Sequence, residues 1–326
     1  MKKAITTNTT ILPIVLSVGS LLWILPEAGN LLLWGGWFVA VLTTYGWMEM
    51  NARMMLLRER SRMVSTTYFA TLVAVPLLHE VCIASLLPLA LLACYGFLFV
   101  SYQERRPEGY LFHAFLLLGI SSLVLPQVLW LFPLLLFCCL VQLRSLTLSS
   151  FSAALMGLFL SLAVLALKAL WLWDFSTLST TLSAMGDRLV GIDFSYWRMV
   201  YTATSTSLPT EAWQFLISTG SVLLISAIAV IQQVQTSYLD KIKVRMFYYV
   251  IGMVQCALFM LLILFPEERW AWLHLLIANS APLTAHYMTL TRGWMSASVF
   301  WISLISLILI TLFNYNTEWI LSLIYS

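Results

Sequence analysis

The chain has 326 residues, of which 61% are hydrophobic and only 10% are charged. A soluble domain carries roughly 25% charged residues and about 45–50% apolar ones, so no compact water-soluble domain can bury this much apolar surface. The composition excludes a water-soluble enzyme and predicts a polytopic membrane protein. The formal net charge of +3 is too small and too dispersed to indicate a nucleic-acid partner.

Apolar runs long enough for membrane helices, which need roughly 20 residues each, recur along the chain. They predict an all-α transmembrane helical bundle of about eleven spans, with ten and twelve as open alternatives, in a single integral membrane domain over residues 1–326. The predicted spans cover residues 10–25, 30–47, 65–79, 81–102, 110–125, 127–143, 151–173, 211–233, 246–265, 270–290 and 295–314.

The orientation follows from the basic residues, which concentrate in short cytoplasmic loops of membrane proteins. With a cytoplasmic N-terminus and alternating spans, all lysines and arginines except Lys168, Arg188, Arg198 and Arg269 fall on the cytoplasmic side. We therefore predict that the N-terminus is cytoplasmic. The apolar run after Lys2 and Lys3 has no small-residue cleavage pattern, so it is predicted to be an uncleaved first helix.

Residues 174–210 form the only long predicted linker, and this orientation places them outside. Leu182, Met185, Leu189 and Ile192 recur at helical spacing there, which predicts a helix lying in the membrane interface.

Three consecutive hairpins are predicted to turn on the external side through similar sequences. Their turns read Leu25-Pro26-Glu27, Leu78-His79-Glu80 and Leu125-Pro126-Gln127. Because the helices that enter these turns are short, the turns either are solvated at the interface or form the floor of a protein-lined funnel. In a funnel, Glu27, Glu80 and Gln127 would share one cavity.

Several polar residues are candidates for binding a substrate. Lys168 interrupts an apolar helix, a position that often marks function, although its long side chain can also reach the headgroups. Carboxylates, guanidinium groups and aromatic rings in the external loop suit a sugar or a phosphorylated headgroup; the alternative is an amphipathic helix that meets lipid headgroups. These loop residues are Asp187, Arg188, Asp193, Tyr196, Trp197, Arg198 and Tyr201.

The sequence predicts neither a metal site nor a cofactor. The five cysteines form no CxxC pair, and the four histidines have no common ligand spacing. Buried, hydrogen-bonded side chains are the favoured interpretation of the histidines. No nucleotide-binding or hydrolase motif occurs.

One stretch of the first half resembles a family of uncharacterised polytopic inner-membrane proteins of Bacteroidota. The resemblance rests on Arg58-Glu59-Arg60-Ser61-Arg62, Tyr102-Gln103-Glu104-Arg105-Arg106-Pro107, Phe112-His113-Ala114-Phe115 and Leu143-Arg144-Ser145. It implies a location in the bacterial inner membrane and carries no catalytic residues. The first half also resembles, more faintly, small relatives of glycosyltransferases that use polyprenyl-phosphate sugars and place an acidic residue in the first external loop, where this chain has Glu27.

Two hypotheses follow for the function. In the first, the protein acts on or binds a lipid-linked glycan or similar amphiphile, such as a polyprenyl-phosphate-linked sugar, at the periplasmic face. Glu27 or Glu80 serves as the base, and Lys168 with Arg188 or Arg198 holds the phosphate. In the second, the protein is a non-enzymatic subunit, scaffold or transporter whose partners are membrane lipids and other inner-membrane proteins.

Overall fold

The computed structural model describes residues 6, 8, 10–59, 61–172, 175–192, 194–202, 209–290 and 294–316. Across these residues the chain folds into thirteen α-helices and no strands. The helices are α1 (Ile11–Ile24), α2 (Leu31–Met54), α3 (Met63–Val73), α4 (Leu87–Val100), α5 (Glu108–Val124), α6 (Leu131–Val141), α7 (Leu148–Leu172), α8 (Phe175–Val190), α9 (Ser195–Thr202), α10 (Thr210–Thr236), α11 (Ile242–Leu264), α12 (Arg269–Leu290) and α13 (Trp294–Tyr315).

The all-helical prediction is confirmed, and five helical segments are long and apolar enough to cross a membrane. These segments are Leu31–Met54, Ile83–Val100, Thr210–Leu239, Ile242–Leu264 and Ala297–Tyr315. Helices also occupy the other predicted spans, but several are short. At a rise of 1.5 Å per residue, the 11 residues of α3 cover only about half of a bilayer core. The total of eleven spans therefore stays a prediction.

The first three hairpins share a local design that the sequence indicated only weakly. Each contains a short 3₁₀ turn with a proline, namely Pro26, Pro76 and Pro126, at intervals of 50 residues. Each hairpin also ends near a non-glycine residue with positive φ, at Met55, Gln103 and Arg144. The shared turn geometry agrees with the predicted repeat, whose second turn contains Pro76 just before the Leu78-His79-Glu80 sequence.

The turn of the second hairpin is buried at Leu78 and His79, although Leu77 and Glu80 in the same turn are exposed. His79 is only 3% exposed, and its ring stacks on Trp23 with 3.8 Å between the ring centroids. The following backbone crosses α2 so closely that a Cβ on Gly36 would stand 1.8 Å from the carbonyl oxygen of His79. Val81 N–H donates to Leu32 O at 2.9 Å. This buried irregular backbone is tolerated because the neighbouring helix supplies a hydrogen-bond partner.

Helix α12 lies at the centre of the bundle, with most of its side chains buried. It packs against α3, α4, α10 and α11. Asn279 anchors it, because its side-chain amide donates to Ile251 O and to Gln255 Oε1 and accepts from the Tyr95 hydroxyl at 2.5 Å. The side chain of Gln255 in turn donates a hydrogen bond from its Nε2 to Ser226 Oγ at 3.1 Å. These side chains satisfy one another inside an apolar core, where an unpaired polar group is costly.

The bundle has two chemically different ends. We call the end that holds Glu27, Glu80, Glu267 and Glu268 the acidic end, and the end that holds the loops 55–62, 101–107, 142–147 and 237–241 the basic end. Contacts join the loops of each end: Arg188 to Glu268 at the first, Gln103 N–H to Leu143 O and Arg58 to Asp240 at the second.

Candidate functional site

Glu27 and Glu80, the two predicted catalytic residues, lie together at the acidic end. Both carboxylates accept from the side-chain amide of Asn30, at 3.3 Å for Glu27 Oε2 and 3.0 Å for Glu80 Oε1. Asn30 also caps α2, because its Oδ1 accepts from Leu32 N–H. The side-chain amide of Asn30 therefore bridges two acidic side chains that are more than fifty residues apart in sequence.

These two carboxylates are exposed rather than enclosed. A carboxylate acts as a strong base when burial removes its water, and neither side chain is buried in this way. The geometry instead offers two hydrated acceptor groups held side by side. Such a pair suits hydrogen bonds from the hydroxyl groups of a sugar.

A groove of about 390 Å³ runs between α8 and the third hairpin turn. Its lining combines the Arg188 cation and the hydroxyls of Thr180 and Thr181 with the apolar side chains of Val124 and Met185. Helix α8 is held over the turn by Trp130, whose Nε1–H donates to Leu189 O at 3.1 Å. The groove is thus amphiphilic, with a cation at one part of an otherwise largely apolar wall.

The ion pair that Arg188 makes within the protein is weak, so it competes little with a bound ligand. Its Nη1 is 3.8 Å from Glu268 Oε1, and both side chains are largely exposed, at 59% and 43%. An exposed pair at this distance contributes little to stability. The guanidinium group remains available for a phosphate, to which arginine binds with two parallel hydrogen bonds.

Helix α9 is fixed against the turn between α11 and α12 by aromatic contacts. Trp197 Nε1–H donates to Ile263 O at 2.9 Å, and the Arg269 guanidinium lies 4.8 Å from the centroid of the Tyr196 ring. Burial raises the pKa of Tyr196, and the charge of Arg269 partly offsets that effect. Trp197 therefore serves to attach α9 to the end of α11.

The remaining predicted binding residues are dispersed. Gln127 is 4% exposed, and its acceptor Oε1 has no hydrogen-bond partner among the described residues. The hydrogen bonds of Glu27 and Glu80 in this part of the chain run to Asn30 and not to Gln127. Asp187 and Arg198 are exposed on α8 and α9, as predicted for an amphipathic segment. The backbone of Lys168 belongs to α7. The side chain of Lys168 lies outside the described part of the chain, as do the residues Asp193, Lys2, Lys3, Arg60 and Arg292.

The basic end contains a buried charged cluster that the sequence did not reveal. Asp240, whose side chain is fully buried, accepts from Arg58 Nε at 2.5 Å and lies 3.0 Å from His286 Nε2. His286 is also buried, with its ring against Tyr248 at 4.5 Å between centroids. Arg58 is about one-third exposed, at 35%. The cluster joins the α2–α3 loop, the α10–α11 loop and the central helix.

The electrostatics of this cluster favour a charged Asp240. Burial acts to raise the pKa of Asp240, but hydrogen bonds and positive charge from His286 and Arg58 outweigh it, and the pKa is lowered from its usual 3.8. A charged carboxylate held by Arg58 and His286 is a structural clamp, since nothing in this geometry makes it a proton donor near neutral pH.

Sequence reasoning missed Asp240 because its partners are distant in the chain. Arg58 is 182 residues away and His286 is 46 residues away. One signal was present: Asp240 is an isolated acidic residue in a loop otherwise rich in lysine and arginine, which the positive-inside pattern does not explain.

The described residues contain no group of three or more histidine, cysteine or acidic side chains that could hold a metal ion. Comparisons of the chain with protein-family models, with curated proteins and with solved structures found no match.

Proposed function

We propose that the protein is a bacterial inner-membrane protein that binds a lipid-linked glycan or a similar phosphorylated amphiphile at its acidic end, on the periplasmic face. The observation that carries this proposal is the 390 Å³ groove in which Arg188 and two threonines face apolar side chains of α5 and α8. The junction between a phosphate and an isoprenoid chain has the same mixture of charge and apolar surface.

The exposed pair Glu27 and Glu80 extends this proposal to the headgroup. Hydroxyl groups of a sugar are donors, and the two carboxylates present several acceptor positions on one side of Asn30. Catalysis by either carboxylate, as in glycosyl transfer, is the finer form of the proposal, and it requires the bound amphiphile to displace water from Glu27 or Glu80.

Binding to the Arg188 groove can be measured with the full-length protein in a neutral detergent. We expect farnesyl phosphate to bind more tightly than farnesol, and Arg188→Gln to weaken farnesyl phosphate binding about tenfold, because a charge-assisted pair of hydrogen bonds is lost. Arg53→Gln is the matched control, since Arg53 is an exposed arginine of the basic end that pairs with Glu49.

Equal binding of the phosphate and the alcohol, or an equal loss in both variants, would contradict the proposal. The catalytic form is tested separately by Glu27→Gln, Glu80→Gln and Lys168→Met in cells. Loss of an envelope-glycan phenotype at normal protein levels supports catalysis. An unchanged phenotype together with copurifying membrane proteins favours the alternative of a non-enzymatic subunit, scaffold or transporter.

A further inference from the structure

A second groove lies on the side of the bundle and contains buried polar groups that have no hydrogen-bond partner among the described residues. It has a volume of about 570 Å³ and lies between α6, α10 and α11. Val234, Cys256 and Met260 line it and are themselves exposed, so the groove opens at the side of the bundle. Most of its wall is apolar.

Two glutamine side chains, Gln142 and Gln233, are the polar groups of this otherwise largely apolar wall. Gln233 is 2% exposed, and its Nε2 donor has no hydrogen-bond partner among the described residues. Gln142 donates to the Met253 sulfur at 3.4 Å, and in the same described part of the chain its buried Oε1 has no partner. A buried amide group left unpaired is destabilising. A groove with an unused donor in an apolar wall is therefore suited to an amphiphilic ligand that supplies an acceptor.

Arg245 lies on the same face of α11 as the groove residues, toward the basic end. Arg245 precedes the groove residues Tyr249, Gly252 and Cys256 by four, seven and eleven positions, which is the spacing of one helical face. Arg245 is half-buried, and its Nε is buried without a hydrogen-bond partner among the described residues. A cation therefore lies about one helical turn from the nearest lining residue of the groove on this face, whereas Lys243 lies over the rings of Tyr102 and Phe247.

The register of α10 against α11 fixes the depth of the polar groups. Gln255 bonds to Ser226, and a Cβ on Gly252 would lie 4.0 Å from Val230 Cγ1. Continuing this antiparallel register places Gln233 level with Tyr249, one helical turn of about 5.4 Å deeper than Arg245. A cation is therefore followed, one turn deeper, by a neutral amide donor and then by an apolar wall.

We propose that this groove binds an anionic glycerophospholipid from the leaflet at the basic end. The phosphate pairs with Arg245, an ester carbonyl accepts from Gln233 Nε2, and an acyl chain lies along Met253 and Met260. Basic pockets between membrane helices bind anionic lipid headgroups in this way. The proposal is independent of the acidic-end function, because it uses different helices and different residues.

Cys256 provides a direct measure of occupancy, because it lines the groove and is exposed. The full-length protein in neutral detergent is alkylated with a maleimide after addition of dioleoyl phosphatidylglycerol or dioleoyl phosphatidylcholine, which have identical chains. We expect phosphatidylglycerol to slow the alkylation of Cys256 at lower concentration than phosphatidylcholine. Cys82, exposed at the acidic end, is the internal control and should react equally in both samples.

Two variants separate the contributions of charge and hydrogen bonding. Arg245→Gln should raise the phosphatidylglycerol concentration needed for protection about tenfold and abolish the preference between the lipids. Gln233→Leu should weaken protection by both lipids about threefold to tenfold, because both carry ester carbonyls. Arg53→Gln should leave protection within about twofold, since that arginine is exposed and already paired.

Three results would overturn the proposal. Equal protection of Cys256 by the two lipids in the unmodified protein would show that the lipid charge plays no role. This comparison does not depend on the folding of any variant. A lipid preference that survives Arg245→Gln would overturn the proposal as well. Formation of Cys256–Cys256 crosslinked dimers regardless of lipid would show that a second copy of the chain covers the groove.

Discussion

The two ends of the bundle differ in the burial of their carboxylates. At the basic end, Asp240 is fully buried between Arg58 and His286. At the acidic end, Glu27 and Glu80 are exposed and share only the neutral amide of Asn30. A buried ion cluster is costly to disrupt and is satisfied within the protein, whereas hydrated carboxylates remain available to a ligand. The contrast makes the Asp240 cluster a structural feature, and it leaves Glu27 and Glu80 accessible at the acidic end.

The largest expected effect comes from breaking the buried cluster. Asp240→Asn leaves the Arg58 guanidinium without its buried carboxylate partner, and we expect it to lower the free energy of unfolding by about 3 kcal/mol. Thermal unfolding in detergent, or resistance to proteolysis, measures the change. Glu80→Gln is the matched control, because an exposed carboxylate contributes at most about 0.5 kcal/mol. Equal effects of the two substitutions would remove the distinction between the ends.

A second comparison uses two glycines near the acidic end. Gly36 faces the buried second turn, and a Cβ there would collide with the backbone of His79, whereas a Cβ on Gly29 in the first turn meets nothing within 4 Å. We expect Gly36→Ala to destabilise the protein by about 2 kcal/mol and Gly29→Ala to change its stability by less than about 0.5 kcal/mol. A tolerated Gly36→Ala would mean that the second turn is not packed against α2.

Acid should weaken the basic end selectively, although less than the substitution does. Because the pKa of Asp240 is lowered in the folded protein, its stabilising contribution is complete above the usual value of 3.8 and is lost as the pH falls through the folded pKa. The unfolding temperature of the unmodified protein should therefore fall more steeply below about pH 4 than that of Asp240→Asn. Parallel curves for the two proteins would exclude a charged Asp240.

Local sequence patterns predicted much of the helical framework, because apolar runs and helical spacing are properties of neighbouring residues. The helices α8 and α9 occupy the linker for which interfacial helix was predicted. The funnel hypothesis placed Glu27, Glu80 and Gln127 in one cavity. Asn30 joins only Glu27 and Glu80, and both are exposed, as in the alternative of solvated turns. In that sense the repeat carried information about contacts between residues distant in sequence.

Long-range partners could not be read from those patterns. The pairing of Asp240 with Arg58 and the network around Asn279 depend on how α12 packs among its neighbours, which no local spacing encodes. The burial of Gln127 was missed for a similar reason. A proline-glutamine turn reads as solvated, but α5, α6 and α8 pack around it here.

The central claim is that the amphiphile occupies the acidic end, and photo-crosslinking tests it most directly. A farnesyl phosphate analogue with a photoreactive isoprenoid chain is irradiated with the full-length protein, and the modified peptides are identified by mass spectrometry. The account predicts crosslinks to Leu123–Pro126 of the third turn and to Thr180–Arg188 of α8, which excess farnesyl phosphate suppresses. Crosslinks confined to the basic-end loops, or labelling that excess ligand leaves unchanged, would contradict it.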